Sequence, residues 1–176
     1  MVLRVVDNKT QGDEWLLSLN DRKATPLLHE PLNELRAQVS PDGKWIAYDS
    51  NDTGRSEIYV RPFPSGEGKR QLSLNGGLAP RWRRDGKELF YMTPDGSRIV
   101  SVKLSAAGSV LNFGTPTELF ESGYLAVNHS GGSFHPYAVS PDGMRFLIPR
   151  PDSTLAGEAA AAPITVVFNW FATLKP

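Results

Sequence analysis

The dipeptide Asp-Gly recurs at 42–43, 85–86 and 142–143, and this recurrence constrains the chain more than any other feature. The full strings are Ser40-Pro41-Asp42-Gly43, Arg83-Arg84-Asp85-Gly86 and Ser140-Pro141-Asp142-Gly143. Proline presets the backbone of the first central position of a turn. Aspartate accepts local backbone hydrogen bonds and tolerates the second position. Glycine takes the positive φ that completes a three-residue hairpin with a bulge. Each string therefore hands one strand to its antiparallel neighbour. Arg84 stands where the other copies have Pro41 and Pro141, so that copy loses preorganisation and keeps the Asp-Gly core. The first two copies lie 43 residues apart and the last two 57 apart. That spacing fits one repeated unit with an insertion in the second interval.

The unit reads as an extended segment, the Asp-Gly turn, an apolar strand, a second turn, another apolar strand and a weaker edge strand. In the clearest copy the expected strands are 36–39, 45–50, 57–63 and 70–74. The next copy gives 79–83, 88–93, 98–104 and 117–120, and the last gives 135–139, 145–149 and 164–170. An incomplete copy precedes them with 2–6, 14–19 and 25–29, where Gly12-Asp13 reads as a different hairpin. Trp45-Ile46-Ala47-Tyr48, Ile58-Tyr59-Val60 and Glu88-Leu89-Phe90-Tyr91 carry bulk on both faces. A strand apolar on both faces must be covered on both faces. Four-stranded antiparallel sheets of about 40 residues, stacked face to face around an axis, meet that demand. The expected fold is all-β, a partial β-propeller of about three and a half blades. The blades fall at approximately 1–35 (incomplete), 36–78, 79–121 and 122–176. Sixteen glycines and fourteen prolines punctuate the chain in the way short strands joined by turns require. Helix signals are nearly absent; the run Ala159–Ala162, closed by Pro163, reads as an insertion.

Composition narrows the partners. Nineteen basic residues balance nineteen acidic ones. Such a chain lacks the net positive charge on which nucleic-acid affinity rests, and the polybasic character that draws proteins to anionic membranes. No apolar stretch approaches the length of a membrane span, so no direct membrane insertion is expected. The absence of cysteine removes disulfides, thiol catalysis and cysteine-ligated metal. The segment Met1-Val2-Leu3-Arg4-Val5-Val6-Asp7 has no basic flank followed by a long apolar run and does not read as a signal peptide.

With these residues in view, "SPDGKWIAYDS…SEIYV" followed by "PRWRRDGKELFYMTPDG" resembles the WD40-like PD40 repeat of TolB-type β-propellers. The resemblance covers nearly the whole chain. The stretches "NELRAQVSPDGKWIAYDSNDTGRSEIYVRPFP", "GGLAPRWRRDGKELFYM" and "PITVVFNWFATLKP" are similar to the C-terminal part of a large bacterial propeller group. Members of that group are often fused behind a serine/threonine kinase domain, and related propellers cover the active site of prolyl-oligopeptidase-type peptidases. The resemblance implies a bacterial periplasmic or extracytoplasmic setting. Closed rings of the family have six to eight blades. Met1 stands where a blade is already under way. The expectation is therefore either a C-terminal fragment of a longer propeller, whose N-terminal blades lie elsewhere in the parent, or a homodimer that completes a ring.

A kinase needs a Gly-rich loop, a catalytic-loop Asp and a metal-binding Asp-Phe-Gly. Asn112-Phe113-Gly114 is the nearest string and has Asn where the metal ligand belongs. An α/β-hydrolase needs Gly-x-Ser-x-Gly. The nearest segment, His129-Ser130-Gly131-Gly132-Ser133-Phe134-His135, places Ser133 and His135 close together but reads as a loop. His29, His129 and His135 show no compact ligand spacing. Asp49-Ser50-Asn51-Asp52-Thr53-Gly54 alternates oxygen ligands as calcium loops do, lacks the distal glutamate, and reads as a solvated turn. Glu57, Arg61 and Glu88 fall in or beside apolar strands, so paired structural roles are expected.

Arg81-Trp82-Arg83-Arg84 is the one basic cluster with an aromatic inside it. Trp82 reads as a blade anchor. Arg81, Arg83 and Arg84 form the candidate ligand surface, suited to an acidic peptide or a carboxylate. The leading expectation is a non-catalytic interaction module for protein, peptide or glycan ligands, with no cofactor and no metal. The alternative is the accessory or sensor propeller of a serine/threonine kinase or of a prolyl-oligopeptidase-type peptidase.

Overall fold

The computed structural model describes residues 1–7, 11–30, 32–64, 67–108, 110–123 and 135–149. Among these residues every regular element is a strand and every pairing is antiparallel. The first sheet holds β1 (Val2–Asp7), β2 (Gln11–Leu17) and β3 (Ala24–Leu28). The second is a four-stranded meander of β4 (Glu34–Val39), β5 (Trp45–Ser50), β6 (Glu57–Pro62) and β7 (Arg70–Gln71). The third runs β8 (Leu78–Trp82), β9 (Glu88–Met92) and β10 (Arg98–Ala107). Its outer edge is shared by β11 (Val110–Phe113) and β12 (Thr117–Glu121), which pair with different halves of β10. A two-stranded sheet follows, β13 (Ala138–Val139) with β14 (Phe146–Leu147). β1 and β2 lie against β4 as β5 and β6 lie against β8, so the first sheet matches the last three strands of the second. The segments 159–163 and 164–170 lie outside the described residues.

The turns work by side chain as much as by backbone. Gly43 N–H donates to the Ser40 carbonyl at 2.9 Å, and Ser40 N–H to the Trp45 carbonyl at 2.8 Å. Ser40's carbonyl is thereby used, and Trp45 N–H donates instead to Ser40 Oγ at 3.0 Å. Asp42 Oδ1 accepts from Ser40 Oγ at 2.6 Å and from Lys44 N–H at 3.1 Å. Pro41 to Lys44 thus form the connection, one residue longer than the expected three-residue hairpin. Ser140-Pro141-Asp142-Gly143 repeats the pattern bond for bond. So does a fourth copy, Thr93-Pro94-Asp95-Gly96, which joins β9 to β10. The copy at Asp85-Gly86 departs at Arg83 as well as at Arg84. With no hydroxyl there, Arg83 grips both oxygens of Asp85 at 2.8 Å and Glu88 at 2.7 Å. Gly43 and Gly143 have φ of +70° and +76°. A Cβ on Gly43 would meet nothing, whereas one on Gly143 would lie 2.7 Å from Arg83 Cδ in the neighbouring turn.

Alternation along the strands sends side chains to two seams. Trp45 and Ala47 of β5, with Ile58 and Val60 of β6, pack against Trp82, Leu89, Tyr91, Val100 and Val102 of the third sheet. From the opposite face, Tyr48 and Tyr59 pack on Leu28 of the first. In the third sheet Phe90, Met92 and Ile99 turn the other way, onto Tyr137. The β10–β11 hairpin supplies part of the extra length in the second repeat interval. Arg70 of the second sheet donates to the Leu111 carbonyl and stacks over the Phe113 ring at 4.4 Å.

Charges are buried in these seams. Asp49 is fully buried; Arg36 holds both of its oxygens at 2.8 and 2.6 Å, and the Ala79 N–H of the next sheet donates to it at 3.1 Å. The acceptor site is met by two equivalent β-bulges. Arg36 and Ala79 both have positive φ, +54° and +55°, where the registers of β4–β5 and β8–β9 slip. Asp49 is therefore not part of a solvated turn. In the same loop Asp52 pairs with Lys69 at 2.8 Å, and Asn51 accepts the Asn33 N–H at 3.0 Å. Glu57 is held by Arg55, Ser73 and the Gly76 N–H. Arg61 reaches the first sheet, at Glu30 and the Leu27 carbonyl. Gly12 and Asp13 lie inside β2 rather than in a hairpin turn, and buried Asp13 pairs with His29 at 2.9 Å. Burial pushes the Glu14 and Glu34 carboxyls up from 4.5 to about 7, with the Glu30 charge adding to the effect at Glu34.

Three outcomes follow for urea unfolding. Gly43→Val is expected to cost about 1–3 kcal/mol from its left-handed backbone alone, and Gly43→Asn clearly less; equal midpoints for the two would refute the turn assignment. Asp49→Ala removes a fully buried carboxylate that holds both Arg36 and the Ala79 N–H, and is expected to cost about 3 kcal/mol or more. Glu14 and Glu34 bind protons more tightly in the folded state, so folding is favoured at low pH. Stability should fall as pH rises from about 4.5 to about 7 and then level off. Glu34→Gln should shrink that fall, which a midpoint series over the same pH range measures.

Candidate functional site

The three arginines read as one surface do not converge. Trp82 lies between them and is buried, with its indole N–H on the Gln38 carbonyl at 2.9 Å and its backbone N–H on Gln38 Oε1 at 3.0 Å. Those two bonds tie β8 to β4. Arg83 is committed to Asp85 and Glu88, and Arg84 is exposed beside the turn. Arg81 alone turns to the next sheet, where its Nε donates to the Tyr137 carbonyl at 3.2 Å. Of the turn residues, Pro41, Asp42, Asp85, Pro141 and Asp142 are exposed, and Gly43, Gly86 and Gly143 hold the backbone between strands.

Arg81 lines a cavity of about 420 Å³ between the third sheet and the two-stranded sheet. The rest of the lining is mostly apolar: Pro136, Tyr137, Ala138, Leu147, Ile148 and Pro149, together with His135. The guanidinium makes no ion pair among the described residues. Burial lowers the Arg81 pKa, which is the response of a cation taken from water without a compensating anion. Tyr137 is 2% exposed and its hydroxyl has no hydrogen-bond partner. His135 Nδ1 is likewise buried and unpartnered. Burial, then the charges of Arg81 and Arg36, drive the His135 pKa down to about 3. The imidazole is therefore neutral at physiological pH and a weak base. A polar atom buried without a partner is costly, so a cavity that collects a cation, a phenol and an imidazole is prepared for an acceptor.

A second cleft, also of about 420 Å³, lies between two Asp-Gly turns. Trp45, Trp82, Leu104 and Leu111 line it, with Asp42, Asp85 and Lys87 also on its wall. Asp85 is held down at about 2, chiefly by its hydrogen bond from Arg83. Two carboxylates against one ammonium leave that wall net negative.

The other candidates are placed as follows. Ser133 and His129 lie outside the described residues. Asn112 and Phe113 fall in β11, and Gly114 N–H donates to the Lys103 carbonyl at 2.8 Å. Glu88 accepts from Ser101 and Arg83. Among the described residues no three His, Asp or Glu side chains gather as a metal-holding cluster. Sequence reading missed Tyr137 and the apolar wall at 147–149. The signal available was Arg81 itself, an arginine on a strand with no acidic residue at the paired position.

No protein-family model and no curated protein matches the chain. Solved structures do. The chain is similar to TolB from Acinetobacter baumannii, with a TM-score of 0.60 and 19% identity over 87% of this chain and 35% of that one. It is also similar to the putative TolB from Agrobacterium tumefaciens, with a TM-score of 0.52 and 17% identity over 69% of this chain and 46% of that one. The chain spans less than half the length of either. At this level of identity the likeness is one of fold, and it agrees with the stacked antiparallel sheets and their repeated turns: the chain is a partial β-propeller similar in fold to TolB.

Proposed function

We propose that the chain is a non-catalytic interaction module that binds a protein or peptide on its propeller. The observation that carries this reading is the cavity at Arg81, where two neighbouring sheets present an unpaired cation over an apolar wall. Propellers use such surfaces between blades to hold partners, and fold alone does not choose the partner. The chemistry at His135 supports the reading. An imidazole whose pKa is driven down to about 3 is a poor general base at neutral pH, where proton-transfer catalysis asks for a pKa near the working pH. The wall of Leu147, Ile148 and Pro149 suits an apolar peptide side chain better than a sugar, which asks for dense polar contacts.

The share of a TolB chain that these blades match favours a second reading on the same surface. In it the module serves a larger protein, as the accessory or sensor propeller of a kinase or a peptidase.

Panning a random-peptide display library on the folded chain tests the first reading. Peptides are expected to enrich, and a bound peptide should slow amide exchange in β8 and at 137–139. Enrichment no greater than on an unrelated β-protein of similar charge would overturn it.

A further inference from the structure

The repeat itself shows what Arg81 is for. Gln38 and Arg81 are equivalent residues, 43 apart, opposite Ala47 and Phe90 in their hairpins. Both make the link to the next sheet, Gln38 to Trp82 and Arg81 to the Tyr137 carbonyl. Gln38 makes that link without a charge. Arg81 uses only its Nε and leaves both terminal amino groups unspent at the cavity. A guanidinium brings a desolvation cost that the link does not need. Blade structure therefore does not account for it.

We infer that the Arg81 cavity is a carboxylate-recognition pocket, taking a peptide carboxylate flanked by an apolar side chain. This rests on the interaction-module reading and names the chemistry of its ligand. The planar fork of Arg81 matches a carboxylate in two parallel hydrogen bonds. Tyr137, a 2% exposed residue, also lines the cavity, and its unpartnered hydroxyl is an O–H donor. The neutral His135 ring donates from Nδ1 in one of its two tautomers. Leu147, Ile148 and Pro149 accept the neighbouring apolar group. A carboxylate would satisfy the buried groups at once and restore a counter-charge to Arg81. No carboxylate of the described residues does so.

The test uses N-acetyl-leucine and its uncharged amide as probes, titrated into the full chain and followed by methyl and amide NMR shifts. The acid is expected to bind with a dissociation constant on the order of millimolar, in keeping with its few atoms. It should shift Leu147, Ile148 and Tyr137, and the amide should bind about tenfold more weakly. Arg81→Gln should lose about tenfold in affinity for the acid and nothing for the amide. Because Arg81→Gln also removes the bond to the Tyr137 carbonyl, Tyr137→Phe serves as a second variant that keeps the ring. It should weaken the acid severalfold with the fold intact. Equal binding of acid and amide, or acid binding that survives both substitutions, overturns the carboxylate pocket. Display-selected peptides that bind wild type and Arg81→Gln alike would do the same while leaving the interaction module standing. Failure of the library itself overturns both. A glutamate-bearing peptide with an amidated C-terminus, run beside its free-acid counterpart, separates side-chain from terminal carboxylates.

Discussion

Burial of both faces of β5 and β9 is the interaction on which this architecture depends. Trp45 and Ala47 face one neighbour while Ile46 and Tyr48 face the other, and all four are buried. Leu89 and Tyr91 oppose Phe90 and Met92 in the same way. A lone sheet would leave one of these faces in water, at roughly 25 cal/mol for each Å² of apolar surface. The sheets must therefore stack. The Asp-Gly turns serve that stacking, because they fix strand register to the residue, and a slip of one residue would exchange the two faces. Ser40, Thr93 and Ser140 show how: each hydroxyl takes the N–H of the first residue after the turn, so the strand begins at a set place.

Stacking two-faced sheets brings backbone and polar groups into the seams, and the chain answers with side-chain acceptors. Asp49 takes the Ala79 N–H, Glu57 the Gly76 N–H, and Gln38 the Trp82 N–H. The two β-bulges with left-handed Arg36 and Ala79 turn these groups toward the seam. Such backbone costs energy for a residue with a side chain, and it persists where surrounding bonds over-determine it. At Arg36 the buried carboxylate does so through the guanidinium. At Ala79 the same carboxylate does so through the backbone. One aspartate thus holds two repeats in the same unusual conformation.

What the sequence disclosed and what it hid divide along a physical line. Local turn chemistry and two-faced strands were legible: 45–50 coincides with β5, and 88–93 nearly with β9. Thr93-Pro94-Asp95-Gly96, present in the string that carries the resemblance, stood outside the repeat count because it lies off the 43-residue spacing, although its residues carry the same chemistry. The β10–β11 hairpin escaped because Val110–Phe113 is short and half exposed. Asp49 was misread because its neighbours in sequence are turn formers, while the partners that decide its burial, Arg36 and Ala79, are distant. The same limit applies at the cavity. Arg81 was visible as a basic residue; its separation from Arg83 and Arg84 depends on which sheet each side chain meets.

Where two copies solve a problem alike, the shared residues belong to the fold. The paired bulges and the links at positions 38 and 81 are of that kind. Where one copy exceeds what the link needs, the excess asks for another explanation. Asp49 and Arg36 are replaced in the next repeat by Met92 and Ala79, an apolar pair that packs on Tyr137 and brings no charge of its own. That substitution removes the carboxylate which, in the preceding repeat, neutralises the arginine of the leading strand. Arg81 takes the place of neutral Gln38, so the repeat pattern brings no carboxylate to it. In the proposed reading, the uncompensated cation beside an apolar wall costs stability in the free protein, and a bound carboxylate offsets that cost.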